Sequence, residues 1–350
     1  MIKYSFKKFS ADDLDGFVSL SSSEYPKSNP TTNKEKMRWK HLNNPIQASF
    51  IHQILDHKRC VGRLMYENKL LWIARKKFKV WNPSDLLIHK SYRTPFSNFL
   101  KLIYGPKKQI KDRFVIHTAN ENSFSLYLDL LKLPHLFSLA GYFFPINPFS
   151  VFKKTKRGRP LSLYFILKLF ITFISKLIKP NKIQFIKGDI NDTEIAYITR
   201  FYNRNKVPFF DRTEKNVKWR QSIYNKVDIN SYKVYLNNEL LCFFTLLNTK
   251  YKKYDTAIIL DFMATPNINF YHKFIIRLYV IYKAIYFNND IIFFMANSNS
   301  PLSEAFCGFP FFKLSDKLLP HPSPFFVRQC KIQNSIFRRT HVTLHDIDYF

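Results

Sequence analysis

Residues able to do chemistry are sparse in this sequence. His341 and His345 in HVTLHDIDYF stand four apart, a spacing that can place two imidazoles on one helix face, but no third ligand accompanies them and HExxH is absent. They are therefore expected to face solvent, and no metal is expected. Cys307 in FCGFP has the residue type of a nucleophile, but it reads better as a buried thiol before a turn. Seven glycines, no two within ten residues of each other, exclude a P-loop, a dinucleotide-binding fingerprint, a kinase glycine loop and a G-x-S-x-G elbow.

What recurs instead is a string of amides and hydroxyls. TANENSFSLY runs from Thr118 to Tyr127 and MANSNSPLSE from Met295 to Glu304, each after a short β-branched and aromatic run, RFVIH and DIIFF. Taken alone, Asn120 and Asn297 read as strand-end turn residues. Other landmarks recur in the same order at nearly the same separation: Trp39-Lys40 with Trp219-Arg220, and Asp85 with Asp261. Tryptophan occurs four times in 350 residues, so the shared order reads as two copies of one domain. The tryptophans themselves are expected to be core aromatics.

The elements around these strings follow from periodicity and breakers. The first copy predicts a strand over 2–9, helices over 11–22 and 33–43, and a hairpin turning at Asp56-His57-Lys58. A longer strand then reaches SDLLIH, followed by a helix from about Pro95, the strand RFVIH and a helix through SFSLYLDLLK. The second copy predicts helices over 192–204 and 213–224, a hairpin at Asn237-Asn238, a strand over 257–264, a helix over 269–287 and a strand over 290–295. Hairpins early and a helical crossover late imply an α/β (α+β) chain with two mixed sheets flanked by helices. The expected division is a first domain over 1–150, a linker over 151–182, a second domain over 183–334 and a tail over 335–350.

Composition sets the partners. Hydrophobic residues at 46% and aromatics at 17% suffice for two cores and exclude a disordered chain. Lys+Arg 55 against Asp+Glu 25 leaves +30, a field that favours nucleic acid, acidic lipid or phosphorylated small molecules. From Leu130 to Gly188 there is no acidic residue. Within that stretch Leu161 to Ile178 is apolar, interrupted by Lys168 and Lys176, and reads as an amphipathic helix with basic flanks. Such a helix lies on an anionic membrane surface, packs between the domains, or spans a bilayer. Scattered Cys60, Cys242, Cys307 and Cys330, with no signal-like N-terminus, fit a cytoplasmic protein, peripheral on the inner face of the membrane if that helix binds lipid.

The element order resembles the GNAT acyltransferase fold. Such a domain has, after its fifth strand, Asn, a small residue three later, Leu-Tyr at six and seven, and Gly-Phe at eleven and twelve. Asn120, Ser123, Leu126 and Tyr127 match the first part, and Asn297, Ser300, Gly308 and Phe309 match the outer parts in the second copy. The N-E-N-S form, WKHLNNP upstream and the basic linker resemble tandem GNAT proteins found among polysaccharide-biosynthesis proteins. The family's phosphate loop reads Arg-x-x-Gly-x-Gly or Ala; IHKSYRTPFSNFL keeps Tyr92 and Arg93 but has Phe96 and Asn98 at the glycine positions. The second copy, LDFMATPNINFYHKF, keeps neither Arg nor glycine.

The resemblance implies acetyl-CoA or another acyl-CoA as co-substrate. Its pyrophosphate would meet Tyr92, Arg93, Ser97, Asn98 and the helix N-terminus, with Asn120 and Ser123 completing the cofactor-binding set. A strand N–H at Leu87 or Ile88 would polarise the thioester carbonyl, and Tyr127 would protonate the leaving thiolate. Glu304 holds the equivalent slot in the second copy and could not act as that acid unless its pKa were raised. Three functions follow: an acyl-CoA-dependent N-acyltransferase on an amino sugar or lipid-linked saccharide precursor, a Fem-like aminoacyl-tRNA-dependent transferase whose charge meets tRNA phosphates, or a catalytically inactive GNAT-fold binding protein.

Overall fold

The computed structural model describes residues 2–106, 109, 114–118, 121–147, 183–225, 228–266, 268–315, 324–328 and 334–347. The expected amphipathic helix over 161–178 lies outside the described residues, as do Asn120 and Cys330. The chain forms two compact units, each assembled from separated segments. The first comprises Met1–Leu136, Phe210–Ile223 and Ser323–Asn334; the second comprises Phe137–Phe209, Tyr224–Pro322 and Ser335–Phe350.

In the first sheet the strands lie in the order β1 (Ile2–Lys8), β2 (Phe50–Asp56), β3 (Arg59–Ile73), β4 (Lys76–Ile88), β5 (Phe114–Thr118), β15 (Pro324–Arg328), β6 (His135–Ser138), with β9 (Phe209–Phe210) paired to β3. The second sheet runs β14 (Phe312–Lys313), β7 (Ala140–Pro145), β13 (Ile291–Ala296), β12 (Tyr254–Ala264), β11 (Glu239–Tyr251), β10 (Ile229–Leu236), β8 (Ile183–Lys187). Both are antiparallel meanders with one parallel pair, β4 with β5 and β12 with β13. The helices are α1 (Asp13–Glu24), α2 (Lys34–His41), α3 (Ser97–Tyr104), α4 (Glu121–Ser125), α5 (Asp192–Arg204), α6 (Glu214–Gln221), α7 (Phe270–Tyr286) and α8 (Asn334–Arg338). Two mixed sheets flanked by helices are the expected class.

The expected domain boundaries do not coincide with these units. Strand β7, expected in the first domain, lies in the second sheet against β13 and β14. Strand β15 and helix α6, expected in the second domain, belong to the first unit. The expected tail is structural: 341–347 is buried in the second unit, and Thr343 bridges Ala296. The physical reason is that alternation of side chains fixes which face of a strand is buried, whereas its neighbour is chosen by backbone groups that every sequence supplies.

A bulge in β4 organises the first unit. Leu87 faces Arg63 and Ser84 faces Met65, so Asp85 and Leu86 together oppose Leu64, and Asp85 takes a φ of 50°. Its carboxylate lies 2.8 Å from Lys40 Nζ and 2.9 Å from His41 Nε2, the last two residues of α2 being thereby pinned to the sheet. His41 Nδ1 meets Ser49 Oγ at 3.0 Å, and Lys40 also lies 3.1 Å from Glu67. Burial alone would raise the Asp85 carboxyl; the Lys40 ammonium and the His41 contact overcome it and hold the group well below the usual carboxylate range. One residue before Lys40, Trp39 stacks on Trp219 of α6 with ring centroids 4.9 Å apart. Each indole N–H donates to the other residue's carbonyl, at 2.8 and 3.1 Å. Both tryptophans are half-buried and joined to each other, not sunk in a core.

Asp85→Asn leaves Lys40 with Glu67 as its one remaining carboxylate and removes the charge facing His41, and is expected to cost about 1.5–3 kcal/mol in urea denaturation at neutral pH. Since the folded carboxyl is held below its unfolded value, its contribution is present above a pH of about 3.9 and is lost as pH falls further. Acidification through that range should therefore destabilise the wild type more than the variant.

Candidate active site

Strands β4 and β5 pair over two positions, Val80 with Phe114 and Trp81 with Val115. Beyond Trp81 no strand lies along that edge of β4 among the described residues. Backbone direction there is set by the other neighbour. The His89 N–H donates to Val61 O at 2.9 Å, so by alternation the Leu87 N–H also faces β3 and the Ile88 N–H faces the open edge. The Ile88 carbonyl, on that same edge, accepts from Arg93 Nε at 3.0 Å. Of the two expected donors, Ile88 is the one left available.

Helix α3 packs on β2 and β3 beside this opening. Its C-terminal turn is fixed where His52 Nδ1 donates to Leu102 O at 2.8 Å. A Cβ on Gly105, which ends the helix, would lie 2.5 Å from the His52 ring, so a larger residue cannot stand there without a shift. Ile103 of this helix lines a small pocket walled by Pro83 and Leu86 of β4 and by Val115 and His117 of β5, whose enclosed part of about 10 Å³ has room for about one water. Leu64 and Tyr66 line it further, and Tyr127 and Arg328 complete it.

Four of these side chains are polar, Tyr66, His117, Tyr127 and Arg328, and no side-chain hydrogen bond joins any of them to a partner among the described residues. Tyr127 lies on a π turn, Leu126–Leu130, that continues α4; burial pushes its hydroxyl up to about 12, so it stays protonated and a donor. His117 packs against it with ring centroids 4.7 Å apart, is 3% exposed, and has no partner for either ring nitrogen. Burial, helped by Arg328, lowers it to about 3, so the imidazole is neutral. Arg328 stands opposite Val115 on β15, its guanidinium 5.4 Å from the Tyr104 ring centre, with no carboxylate in ion-pair range among the described residues. Sequence reasoning missed both His117 and Arg328. Alternation in RFVIH could have placed His117 on the Val115 face; nothing local marks Arg328, whose strand arrives from far along the chain.

The expected phosphate loop is tied to the protein. The Tyr92 hydroxyl donates to Asp56 Oδ2 at 2.6 Å, and its carbonyl accepts from Asn98 Nδ2 at 2.8 Å. Asn98 is buried and also accepts from the Tyr4 hydroxyl, which anchors the loop to β1. Arg93 pairs with Glu24. Ser97 opens α3 and is exposed, and the N–H groups of Phe96 and Ser97 have no backbone acceptor among the described residues. The polar groups this turn leaves uncommitted are therefore backbone amides. Ser123 is half-buried on α4.

The second unit has the same opening, filled. Thr265 N–H donates to Leu241 O, which makes Ala264 the counterpart of Ile88, and the Ala264 N–H is taken by the Tyr202 hydroxyl oxygen at 3.2 Å. His341 Nε2 donates to Phe262 O at 2.7 Å, Thr343 Oγ1 donates to Asp261 at 2.8 Å, and Phe306 packs on Phe262. His341 and His345, expected in solvent, are 0% and 8% exposed because their segment plugs this gap. Asn297 holds the plug, donating to the carbonyls of Arg338 and Thr340. Glu304 pairs with Lys273 in solvent at 2.9 Å, and burial pushes the Cys307 thiol up to about 12. In the first unit His41, Glu67 and Asp85 are close enough to hold a metal, but the Lys40 ammonium already stands between the two carboxylates.

His117 gives a pH test. Its folded pKa lies below that of a free imidazole, so its burial opposes folding increasingly as pH falls from about 6.5 toward about 3. His117→Gln should flatten the fall of Tm with pH across that window.

No family model matches this sequence, and no curated protein matches it. Solved structures do. A GCN5-related N-acetyltransferase from Kribbella flavida aligns with TM-score 0.61 and 7% identity over 93% of this chain and 71% of its own. One from Anabaena variabilis gives 0.58 and 11% over 93% and 72%. Saccharomyces cerevisiae N-myristoyltransferase with bound myristoyl-CoA gives 0.54 and 14% over 93% and 78%. Likeness at such identities is likeness of fold, and the chain has the GNAT fold.

Proposed function

We propose that this chain is an acyl-CoA-dependent N-acyltransferase whose first unit carries the reaction, the second being a structural copy of the same domain. The observation that supports this is the contrast between the two openings: one holds a free strand N–H and an unpartnered Tyr, the other is filled by its own chain. The yeast neighbour holds an acyl-CoA, which supports that class of co-substrate.

In this reading the Ile88 N–H receives the thioester oxygen as negative charge develops on it. The acceptor amine forms a C–N bond to the carbonyl carbon, the C–S bond breaks, and Tyr127 gives its hydroxyl proton to the departing sulfur. A proton lost by the new amide nitrogen restores the phenol. Amides of Phe96 and Ser97, with Arg93 nearby in the loop, meet the pyrophosphate without the glycines common in the fold. The acceptor is an amino sugar or a lipid-linked saccharide precursor, consistent with a charge of +30 that draws the protein to an anionic membrane face. No helix among the described residues is long and apolar enough to cross a membrane. The same charge supports a second reading, an aminoacyl-tRNA-dependent transferase.

Calorimetric titration with acetyl-CoA and longer acyl-CoAs should give micromolar binding, and no heat with any of them refutes the first reading. A salt-sensitive gel shift with tRNA would support the second. Tyr127→Phe should lower kcat about a hundredfold or more with little change in acyl-CoA Kd, whereas Glu304→Gln should leave both unchanged.

A further inference from the structure

The pocket of the first unit contains two groups that the reaction above leaves unused. His117 is 3% exposed, and neither ring nitrogen has a partner among the described residues. An unpaired buried polar group is a standing cost that a fitting ligand removes. Arg328 carries five donors and no acceptor. Register places Phe326 opposite His117 and Arg328 opposite Val115. Side chains two apart on a strand share a face, so His117 and Arg328 belong to one wall. No acidic residue lines the pocket, and the remaining wall is largely aliphatic, which strengthens any charge placed there.

The shape of the donor set selects the ligand. A guanidinium presents parallel N–H groups that match two coplanar oxygens, and a neutral imidazole adds one N–H. The Tyr66 and Tyr127 hydroxyls line the same pocket, so shape and not donor number decides: a planar carboxylate matches the guanidinium fork, and the narrow space beside it is too small for a tetrahedral phosphate. We propose that the substrate brings a carboxylate into this pocket, where Arg328 pairs with it and His117 donates one ring N–H to it. The proposal rests on the acyltransferase reading for its two sources: an acyl chain that ends in a carboxylate, or an amino sugar acid as acceptor.

Two ligand pairs differ by that group alone in kind. Succinyl-CoA and butyryl-CoA share chain length, and muramic acid is glucosamine with a lactyl ether carboxylate. In calorimetry the acidic member of one pair should bind about tenfold to a hundredfold tighter to the wild type. Arg328→Gln should bring that margin within about twofold while Arg328→Lys retains part of it, circular dichroism confirming that both variants fold. A margin in the acyl pair assigns the carboxylate to the acyl chain, and one in the acceptor pair assigns it to the sugar. Equal binding within both pairs, or a margin that survives Arg328→Gln, overturns the proposal while leaving acyl-CoA binding intact. If no CoA ester binds, the acyltransferase reading falls, and the ¹⁵N resonances of the His117 ring decide the site independently. A shift with succinate but not succinamide supports it, and no shift with succinate overturns it.

Discussion

A parallel strand pair that separates after two positions leaves backbone amides with no partner in their own sheet. Buried amides of that kind are costly unless a side chain, water or ligand takes them. The first unit leaves the Ile88 N–H at such an edge and builds a pocket of aliphatic and aromatic side chains beside it. The second unit satisfies the corresponding Ala264 N–H with the Tyr202 hydroxyl and lays His341 to Asp346 over the gap. The same strand geometry therefore yields a place for a ligand once and a closed core once. Chemistry can reside where the amide is still available.

The bulge upstream of each amide has also been put to different uses. In the second sheet Thr245 faces Asp261 and Leu246 faces Ile259, which leaves Leu260 as the extra residue. Asp261 there accepts from Thr343 and helps seat the plug, whereas Asp85 takes Lys40 and His41 and seats helix α2. A carboxylate next to a bulge is short, points off the ladder and tolerates irregular backbone, so either partner suits it. What each carboxylate recruits is what separates a closed unit from an open one.

Much of this was legible from residue types. Periodic segments gave the helices and strands, the Asp56-His57-Lys58 bend joins β2 to β3, and Asn191 with Glu194 forms the capping box that opens α5. Paired tryptophans and paired aspartates mark corresponding places, and the Asn-x-x-Ser-x-x-Leu-Tyr string marks Tyr127, which the structure puts in a pocket wall. Position-specific contacts were not legible. Asn98 reads as a lost glycine, but its side chain is a strut between Tyr4 and Tyr92. His341 reads as a polar tail residue, but a ring surrounded by Tyr202 and Phe262 needs both aromatic contact and a carbonyl to donate to, and finds them. Such roles depend on residues distant in sequence, which no local pattern records.

Distance along the chain also explains why a closed unit accompanies an open one. The first sheet needs β15 against β5, and the second needs β7 against β13. Each of these strands is encoded in the other half of the sequence. Without β15, the edge of β5 would stand bare and the wall that carries Arg328 would be missing. Without β7, β13 would lose its antiparallel partner and β14 its neighbour in the sheet order. Neither half of the sequence can complete its hydrogen bonding alone, so the second half is needed for the pocket even though its own opening is closed: it encodes the strand that carries Arg328.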